Sequence, residues 1–164
     1  MTKRSLCVLL VSLTTTVAGG VSPAGADSQC FRHSRAEKKF FRLTNRARTR
    51  LGIERLKLDP ELSRVAGYHT RRMARGSRLY HTPGWRLARR VTRWRVLGEN
   101  VGVGNTVLPL QQAFLASPSH RANVLSKTFV HLGVGTKRKN GRLWVTVVFE
   151  SRRNPGTRLR MPRC

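Results

Sequence analysis

The chain has 164 residues, of which 39% are hydrophobic, and this length fits a single domain with a real core. It carries 33 Lys and Arg against 7 Asp and Glu, a formal charge of +26, which excludes the near-neutral surface of an ordinary soluble domain. Such a surface predicts strongly salt-dependent contact with anionic polymers. Because the arginines are scattered along the chain, a compositional bias of the genome accounts for them as well as a selected anionic partner does.

The first 26 residues predict an export signal. Lys3 and Arg4 supply the positive charge, residues 6–13 are apolar, and Ala24-Gly25-Ala26 fits the cleavage pattern, so cleavage is expected after Ala26. Neither this apolar stretch nor any later one reaches the roughly 20 residues that a transmembrane helix needs. We therefore expect a secreted, extracellular protein without a transmembrane segment. Its expected parts are a signal peptide (1–26), an N-terminal segment (27–39), a domain (40–150) and a basic tail (151–164).

Removal of the signal leaves two cysteines, Cys30 and Cys164. An oxidising compartment favours a disulfide between them. Because the bridge would close most of the mature chain, the chain-entropy view gives it about 4–5 kcal/mol of stabilisation. Two free thiols or an intermolecular link are the alternatives.

Two helices are predicted in the first half of the chain. Apolar residues recur at helical spacing over 36–51, and Gly52 follows as a stop signal. A second helix opens with Asp59 as N-cap and Pro60 at its first position, and it ends near Gly76. Its predicted buried stripe comprises Leu62, Val65, Ala66, His69 and Met73.

The second half predicts shorter elements and then a hairpin. Residues 82–97 show no clean period and predict an irregular basic connection. Trp85 and Trp94 in this segment, together with Trp144, are expected to pack in the core, with the lining of a groove as the alternative. A strand over 99–104 and helices over 108–116 and 119–125 follow. The Asn140-Gly141 turn between two β-branched and aromatic runs, 130–135 and 143–149, predicts a β-hairpin because Asn-Gly accepts positive φ. Helices followed by strands favour an α+β fold or a layered sandwich.

Three separated clusters supply polar groups of the kind that shared sites need. They are Leu79-Tyr80-His81, Gly98-Glu99-Asn100 and Ser117-Pro118-Ser119-His120-Arg121-Ala122-Asn123. His120 falls in the first turn of a short helix, where the dipole disfavours imidazolium, and a neutral imidazole can bind a metal or accept a proton. Glu99 is one of few acids and lies beside apolar Val101, so partial burial is expected, with a partner or a ligand. If these groups converge, they form a divalent-metal or acid/base site.

Each of these residues also has a purely structural interpretation. His120 can be a capping or packing residue in a turn, and His81 can be a surface histidine. Glu99 can form a structural salt bridge with one of the many arginines. The sequence contains no Gly-rich phosphate loop and no Cys/His zinc spacing, and Ser117 and Ser119 lack a nucleophile-elbow pattern.

These residues resemble the CAP superfamily of cysteine-rich secretory, antigen 5 and pathogenesis-related 1 proteins, in particular its exported bacterial members. The resemblance runs from about Phe40 to Phe149. It is carried by Leu43-Thr44-Asn45, Arg48, Leu58-Asp59-Pro60-Glu61-Leu62, Met73-Ala74, His81, Gly98-Glu99-Asn100-Val101, residues 117–125 and residues 129–135. The order and spacing of so many elements make the match specific.

The resemblance implies a three-layer α-β-α sandwich of the CAP type with a central cleft. It implies that His81, Glu99 and His120 line the cleft, and we place Asn100 and Ser117 with them as ligand-binding residues. Many members have two histidines and two acids able to hold a divalent cation, often zinc. Here no acid lies between Glu99 and His120, and Ser117 takes the place of the second acid. His81 and His120 are therefore the expected metal ligands, and the cation is expected to be weakly held.

Three functions remain open at this stage. The first is a non-enzymatic binding module, with a cation, a small molecule or a lipid in the cleft and anionic envelope polymers on the basic surface. The second is a metal-assisted, protease-like hydrolase in which Glu99 acts as the base. The third is a charge-driven antimicrobial or nucleic-acid-binding protein, whose nucleic acid contacts would be nonspecific.

Overall fold

The computed structural model describes residues 31–151. The export signal, Cys30, Cys164 with their predicted bridge, and residues 152–164 of the tail lie outside this range. The elements are α1 (Arg35–Thr49), β1 (Lys57–Leu58), α2 (Pro60–Gly76), α3 (Gly84–Arg90), β2 (Leu97–Gly104), α4 (Val107–Ala116), α5 (Pro118–Leu125), β3 (His131–Lys139) and β4 (Arg142–Glu150). None of the helices in residues 31–151 has the length and apolar character needed to cross a membrane.

A four-stranded sheet in the order β1-β3-β4-β2 forms the middle layer. β1 runs parallel to β3, whereas β4 pairs antiparallel with both β3 and β2. Alternate residues of β4 face opposite layers, as a strand buried on both sides requires. Leu143, Val145, Val147 and Phe149 pack in the core with α1, α4 and α5, while Trp144 and Val148 pack with α2. The predicted three-layer α-β-α sandwich is therefore confirmed.

Helix α2 packs with its backbone directly against β3. A Cβ atom on Gly133 would lie 2.1 Å from the carbonyl carbon of Leu62, and one on Gly135 would lie 2.1 Å from the backbone nitrogen of Gly67. Real Cβ atoms do not approach other atoms so closely. The two glycines therefore set the distance between α2 and the sheet.

Local capping signals fix the starts of the two long helices. Ser34 and Glu37 form a capping box at the start of α1, with Ser34 Oγ 3.2 Å from the Glu37 nitrogen. Asp59 accepts a hydrogen bond from the Leu62 nitrogen at the start of α2. The predicted N-cap and Pro60 at the first position of α2 are confirmed, as is the end of the helix at Gly76.

The predicted hairpin is also confirmed. Asn140 and Gly141 have φ values of 49° and 72°, the double positive φ of a type I′ turn, and they join β3 to β4. This turn has the twist of the flanking strands, so it fixes their register.

Two features of the middle segment differ from the sequence expectations. Residues 82–97 contain helix α3, which is stabilised by burying Leu87 and Val91 against α2 rather than by a regular local pattern. Trp144 packs in the core as expected, whereas Trp85 and Trp94 are exposed to 60% and 40%, so the expectation of core packing was wrong for these two. Strand β1 was not predicted, because two residues become a strand only through pairing with β3.

Candidate functional site

The candidate site lies at β2, the strand at one edge of the sheet. Successive residues of a strand point to opposite faces. Glu99 belongs to the face shared with Leu97 and Val101, which pack with α2 and its neighbours, whereas Gly98 and Gly102 approach α5 and α4. The edge strand can therefore hold one group from each helical layer.

On the α2 side, Glu99 binds the loop that follows α2. Its Oε1 lies 3.0 Å from His81 Nδ1 and accepts a hydrogen bond from the Thr82 backbone nitrogen at 2.8 Å. Its Oε2 accepts a hydrogen bond from Thr82 Oγ1 at 2.6 Å. The Glu99 side chain is only 6% exposed, whereas that of His81 is 58% exposed. Glu99 is thus an internal carboxylate that anchors an accessible imidazole.

On the other side, Asn100 binds helix α5. Its Nδ2 donates to the carbonyl oxygen of His120 at 3.0 Å, and its Oδ1 accepts from Asn123 Nδ2 at 2.8 Å. The Asn123 amide also lies 3.3 Å from the carbonyl oxygen of Glu99. Asn100 is fully buried, so these bonds hold the first turn of α5 against the strand.

The two histidine rings meet across this edge. Their centroids are 6.5 Å apart, and the ring of His120 also contacts Phe114 at 5.0 Å. Burial, and secondarily the nearby His81, lower the pKa of His120 below its usual value. The lowered pKa favours the neutral imidazole of His120 near neutral pH, and this form has a nitrogen lone pair available for a ligand.

The donor set offers two nitrogens but no complete protein shell for a metal ion. Two imidazoles on one tetrahedral zinc place their ring centres roughly 5–6 Å apart, because Zn–N bonds are about 2.0–2.1 Å long. The observed separation of the His81 and His120 ring centres, 6.5 Å, is wider than this. Across residues 31–151, no three His, Cys, Asp or Glu side chains converge to hold a metal. His81 and His120 are therefore the two described residues at this edge whose nitrogens could bind a cation, and water would have to supply the other ligands.

The structure brings together His81, Glu99, Asn100 and His120, but Ser117 stands apart. Ser117 occupies the junction between α4 and α5 without capping α5 through its side chain. Its hydroxyl lies 3.4 Å from that of Ser119, and no hydrogen bond within residues 31–151 joins it to His81 or Glu99. The alternative partner for Glu99, an arginine, is not observed in the same range.

The sequence analysis did not assign two residues, Thr82 and Asn123, to the site, although Asn123 belongs to the third polar cluster. Thr82 makes two of the three hydrogen bonds to the Glu99 carboxylate, and Asn123 joins both Glu99 and Asn100. Thr82 directly follows a candidate histidine, and Asn123 lies one helical turn after another. The available signal in the sequence was therefore their closeness to His81 and His120. Closeness along the chain does not show which neighbouring side chain points towards Glu99 and Asn100.

Comparison with known proteins agrees with this architecture. The sequence profile of the cysteine-rich secretory protein (CAP) family matches residues 41–149, about two thirds of the chain. The chain belongs to this family. The match includes every element of the sandwich beyond the first turns of α1 and the last residue of β4.

Bacterial CAP proteins are among its relatives. The Bacillus subtilis (strain 168) protein YkwD is 30% identical over 115 residues, which cover 66% of this chain and 44% of YkwD. A crystal structure of an extracellular SCP-domain protein from Bacillus anthracis str. Ames has a TM-score of 0.65 at 29% identity, covering 71% of this chain and 40% of that one. An outer surface protein of Borrelia burgdorferi has a TM-score of 0.64 at 20% identity, with 71% and 92% coverage, and it shares the fold. The chain thus spans less than half the length of both Bacillus relatives.

Proposed function

We propose that this CAP protein is an exported binding module whose edge-strand cleft holds a divalent cation, and whose basic surface contacts anionic polymers of the cell envelope. Export is supported by the predicted signal peptide and by the extracellular character of the Bacillus anthracis relative. The cleft and the surface are separate parts of the proposal, because they rest on different residues.

The proposed cation site rests mainly on the contact between the Glu99 carboxylate and His81 Nδ1. A carboxylate that accepts from Nδ1–H fixes the tautomer of the ring and leaves Nε2 as the ligating nitrogen. Such carboxylate–histidine pairs orient metal ligands and raise their basicity. With the neutral imidazole of His120 opposite, two nitrogen donors would hold the cation, and water would complete the shell.

The same contacts favour binding over hydrolysis. A general base must reach the proton of an attacking water. Both oxygens of Glu99 already accept hydrogen bonds, from His81 and Thr82, and the side chain is almost wholly internal. A carboxylate used in this way serves to position a ligand rather than to shuttle protons.

Zinc titration by calorimetry tests the cleft. We expect the wild-type protein to bind zinc and the His81→Ala and His120→Ala variants to lose that binding. Glu99→Gln should weaken it about 10- to 100-fold through loss of the orienting carboxylate. His33→Ala is the matched control, since His33 bonds to Ser63 away from the cleft and its loss should leave the affinity unchanged.

Two results would count against this function. Equal zinc affinity in the wild-type protein and both cleft histidine variants would remove the cation site. A zinc-dependent hydrolytic activity that Glu99→Gln abolishes while zinc stays bound would replace the binding module with an enzyme.

A further inference from the structure

The exposed side chains of α2 and the loop after it line a groove of about 400 Å³. We call this the arginine groove; its lining residues are Tyr68, Arg71, Arg72, Arg75, Gly76 and Tyr80. A second hollow of about 260 Å³ shares Tyr68 and Arg71 with it and adds Arg64 and Arg90. The two hollows together form a continuous arginine-lined surface outside the cleft.

Acidic residues do not neutralise this surface. Four acidic side chains are buried inside the domain and accept hydrogen bonds there: Glu37, Asp59, Glu99 and Glu150. No carboxylate within residues 31–151 forms an ion pair with Arg71, Arg72 or Arg75. The positive charge of the arginine groove is therefore open to a ligand.

The arrangement of these arginines is unfavourable to the helix itself. Arg71 and Arg75 are four residues apart and Arg72 and Arg75 are three apart, so like charges are neighbours on one helical face. None of the three contributes to the core, because the buried stripe of α2 lies on its other face. A bound anion would relieve this repulsion between neighbouring guanidinium groups.

Tyrosine rings in the arginine groove are covered by guanidinium groups. The Arg90 guanidinium carbon lies 4.0 Å from the centroid of Tyr68, and that of Arg78 lies 5.3 Å from the centroid of Tyr80. Arg72 also donates to the Tyr68 hydroxyl at 3.3 Å. Hydrogen bonds from Arg72 and Arg90 lower the pKa of Tyr68, in keeping with the positive surroundings.

We infer that the arginine groove binds successive phosphate groups of a phosphodiester polymer of the cell envelope, such as poly(glycerol phosphate). This inference rests on the proposed export and polymer contact, and it names their site and ligand chemistry. Guanidinium forks hold phosphate oxygens in pairs. From Arg64 in the second hollow to Arg75 in the arginine groove, helix α2 rises about 16 Å, which exceeds the size of one phosphate group and suits several along a chain.

The tyrosine rings of the arginine groove, which arginine side chains cover, favour a phosphodiester polymer without bases over a nucleic acid. Proteins that bind single-stranded nucleic acids generally offer aromatic faces on which bases stack. In the arginine groove the Tyr68 and Tyr80 rings already lie against arginine side chains. A polymer that presents phosphates without bases matches what the groove leaves available.

The test compares two triple variants that remove equal charge. The groove variant loses the three guanidinium charges of the arginine groove through Arg71→Gln/Arg72→Gln/Arg75→Gln. The α1 variant loses three exposed arginines from one stripe of α1 through Arg35→Gln/Arg42→Gln/Arg46→Gln. Binding of full-length mature protein to fluorescent poly(glycerol phosphate) is measured by anisotropy from about 0.05 to 0.3 M NaCl, a range over which screening changes strongly. Thermal melts check that both variants fold.

We expect the groove variant to lose affinity roughly 30-fold or more near 0.1 M salt, and its salt slope to fall by about two. The α1 variant should lose less than about threefold, since diffuse charge acts only through screening. Arg71→Lys/Arg72→Lys/Arg75→Lys should bind more weakly than the wild-type protein at equal charge, because lysine lacks the fork.

Each contrary result has a distinct meaning. Equal losses in the two glutamine variants would overturn the arginine groove while leaving polymer binding by the surface in place. Tighter, groove-dependent binding of oligothymidylate would overturn the polymer in favour of nucleic acid. No binding of poly(glycerol phosphate) by the wild-type protein would overturn the proposed polymer contact itself, whereas the zinc titration would be unaffected.

Discussion

The carboxyl group of Asp59 should make the stability of the domain fall as the pH rises. Asp59 caps α2 and is 5% exposed. Burial raises its pKa from 3.8 to about 6, although the backbone N–H of Leu62 and the nearby His131 act in the opposite direction. The folded protein therefore binds the Asp59 proton more tightly than the unfolded chain does.

The sign and size of the effect follow from this difference in pKa. At 1.36 kcal/mol for each unit between the two pKa values, full ionisation of Asp59 costs the folded state about 3 kcal/mol. The stabilisation of the folded state by the Asp59 proton is fully present below about pH 3.8 and is lost as the pH rises through about 6. Between pH 4.5 and 7.5 the loss amounts to about 2 kcal/mol.

The Asp59→Asn variant isolates this contribution, because asparagine is also a good N-cap but carries no charge. The free energy of unfolding is measured by urea titration for both proteins at pH 4.5 and 7.5. The variant should gain about 2 kcal/mol relative to the wild-type protein over this interval, since its capping bond does not depend on pH. The chain contains only one other aspartate, Asp27, so carbon-13 labelling follows the Asp59 titration directly.

Two observations would refute this reasoning. One is a stability difference between Asp59→Asn and the wild-type protein that stays constant between the two pH values. The other is a carboxyl titration of Asp59 centred near its ordinary value of 3.8.

Three further substitutions test contacts that hold the elements of the fold together. Gly135→Ala should lower the free energy of urea unfolding by about 3 kcal/mol or more, since its Cβ would meet the α2 backbone at 2.1 Å. Gly84→Ala is the control, because a Cβ there has open space and the substitution should be neutral or slightly stabilising. Equal effects of the two substitutions would contradict the close contact at Gly135. Arg48→Lys should lower the free energy of unfolding, measured by calorimetric melting, by about 3 kcal/mol. The reason is that one ammonium group cannot replace a buried guanidinium bonded to three carbonyl groups. An unchanged melting temperature would contradict this role of Arg48. Thr82→Val should cost about 1.5 kcal/mol at neutral pH in urea unfolding through loss of the 2.6 Å hydrogen bond to Glu99, and no loss would show that the bond is dispensable.

Sequence reasoning succeeded where a residue acts on its own neighbours. Asp59 with Pro60 starts α2, and Asn140 with Gly141 makes the turn between β3 and β4, because capping and positive φ are local properties of the backbone. The same reasoning failed over residues 82–97. There the helix α3 depends on burying Leu87 against another helix, which no local pattern encodes.

The candidate site shows the same division. Isolated by their Gly and Pro neighbours, His81, Glu99 and His120 stood out in the sequence, and the structure brings them together. Their partners did not stand out. The choice of Thr82 rather than an arginine for Glu99 follows from the position of the loop after α2, because the buried carboxylate can accept only from donors that reach it.

The order of amino acids alone determined where this chain turns, where its long helices begin and which side chains carry a reactive or charged group, since these depend on a few adjacent residues. Tertiary structure decided that one edge strand presents Glu99 to one layer and Asn100 to the other, and that Arg71, Arg72 and Arg75 of α2 form no ion pair with a carboxylate of residues 31–151. Such pairings join residues far apart along the chain, and their geometry exists only after the layers have packed.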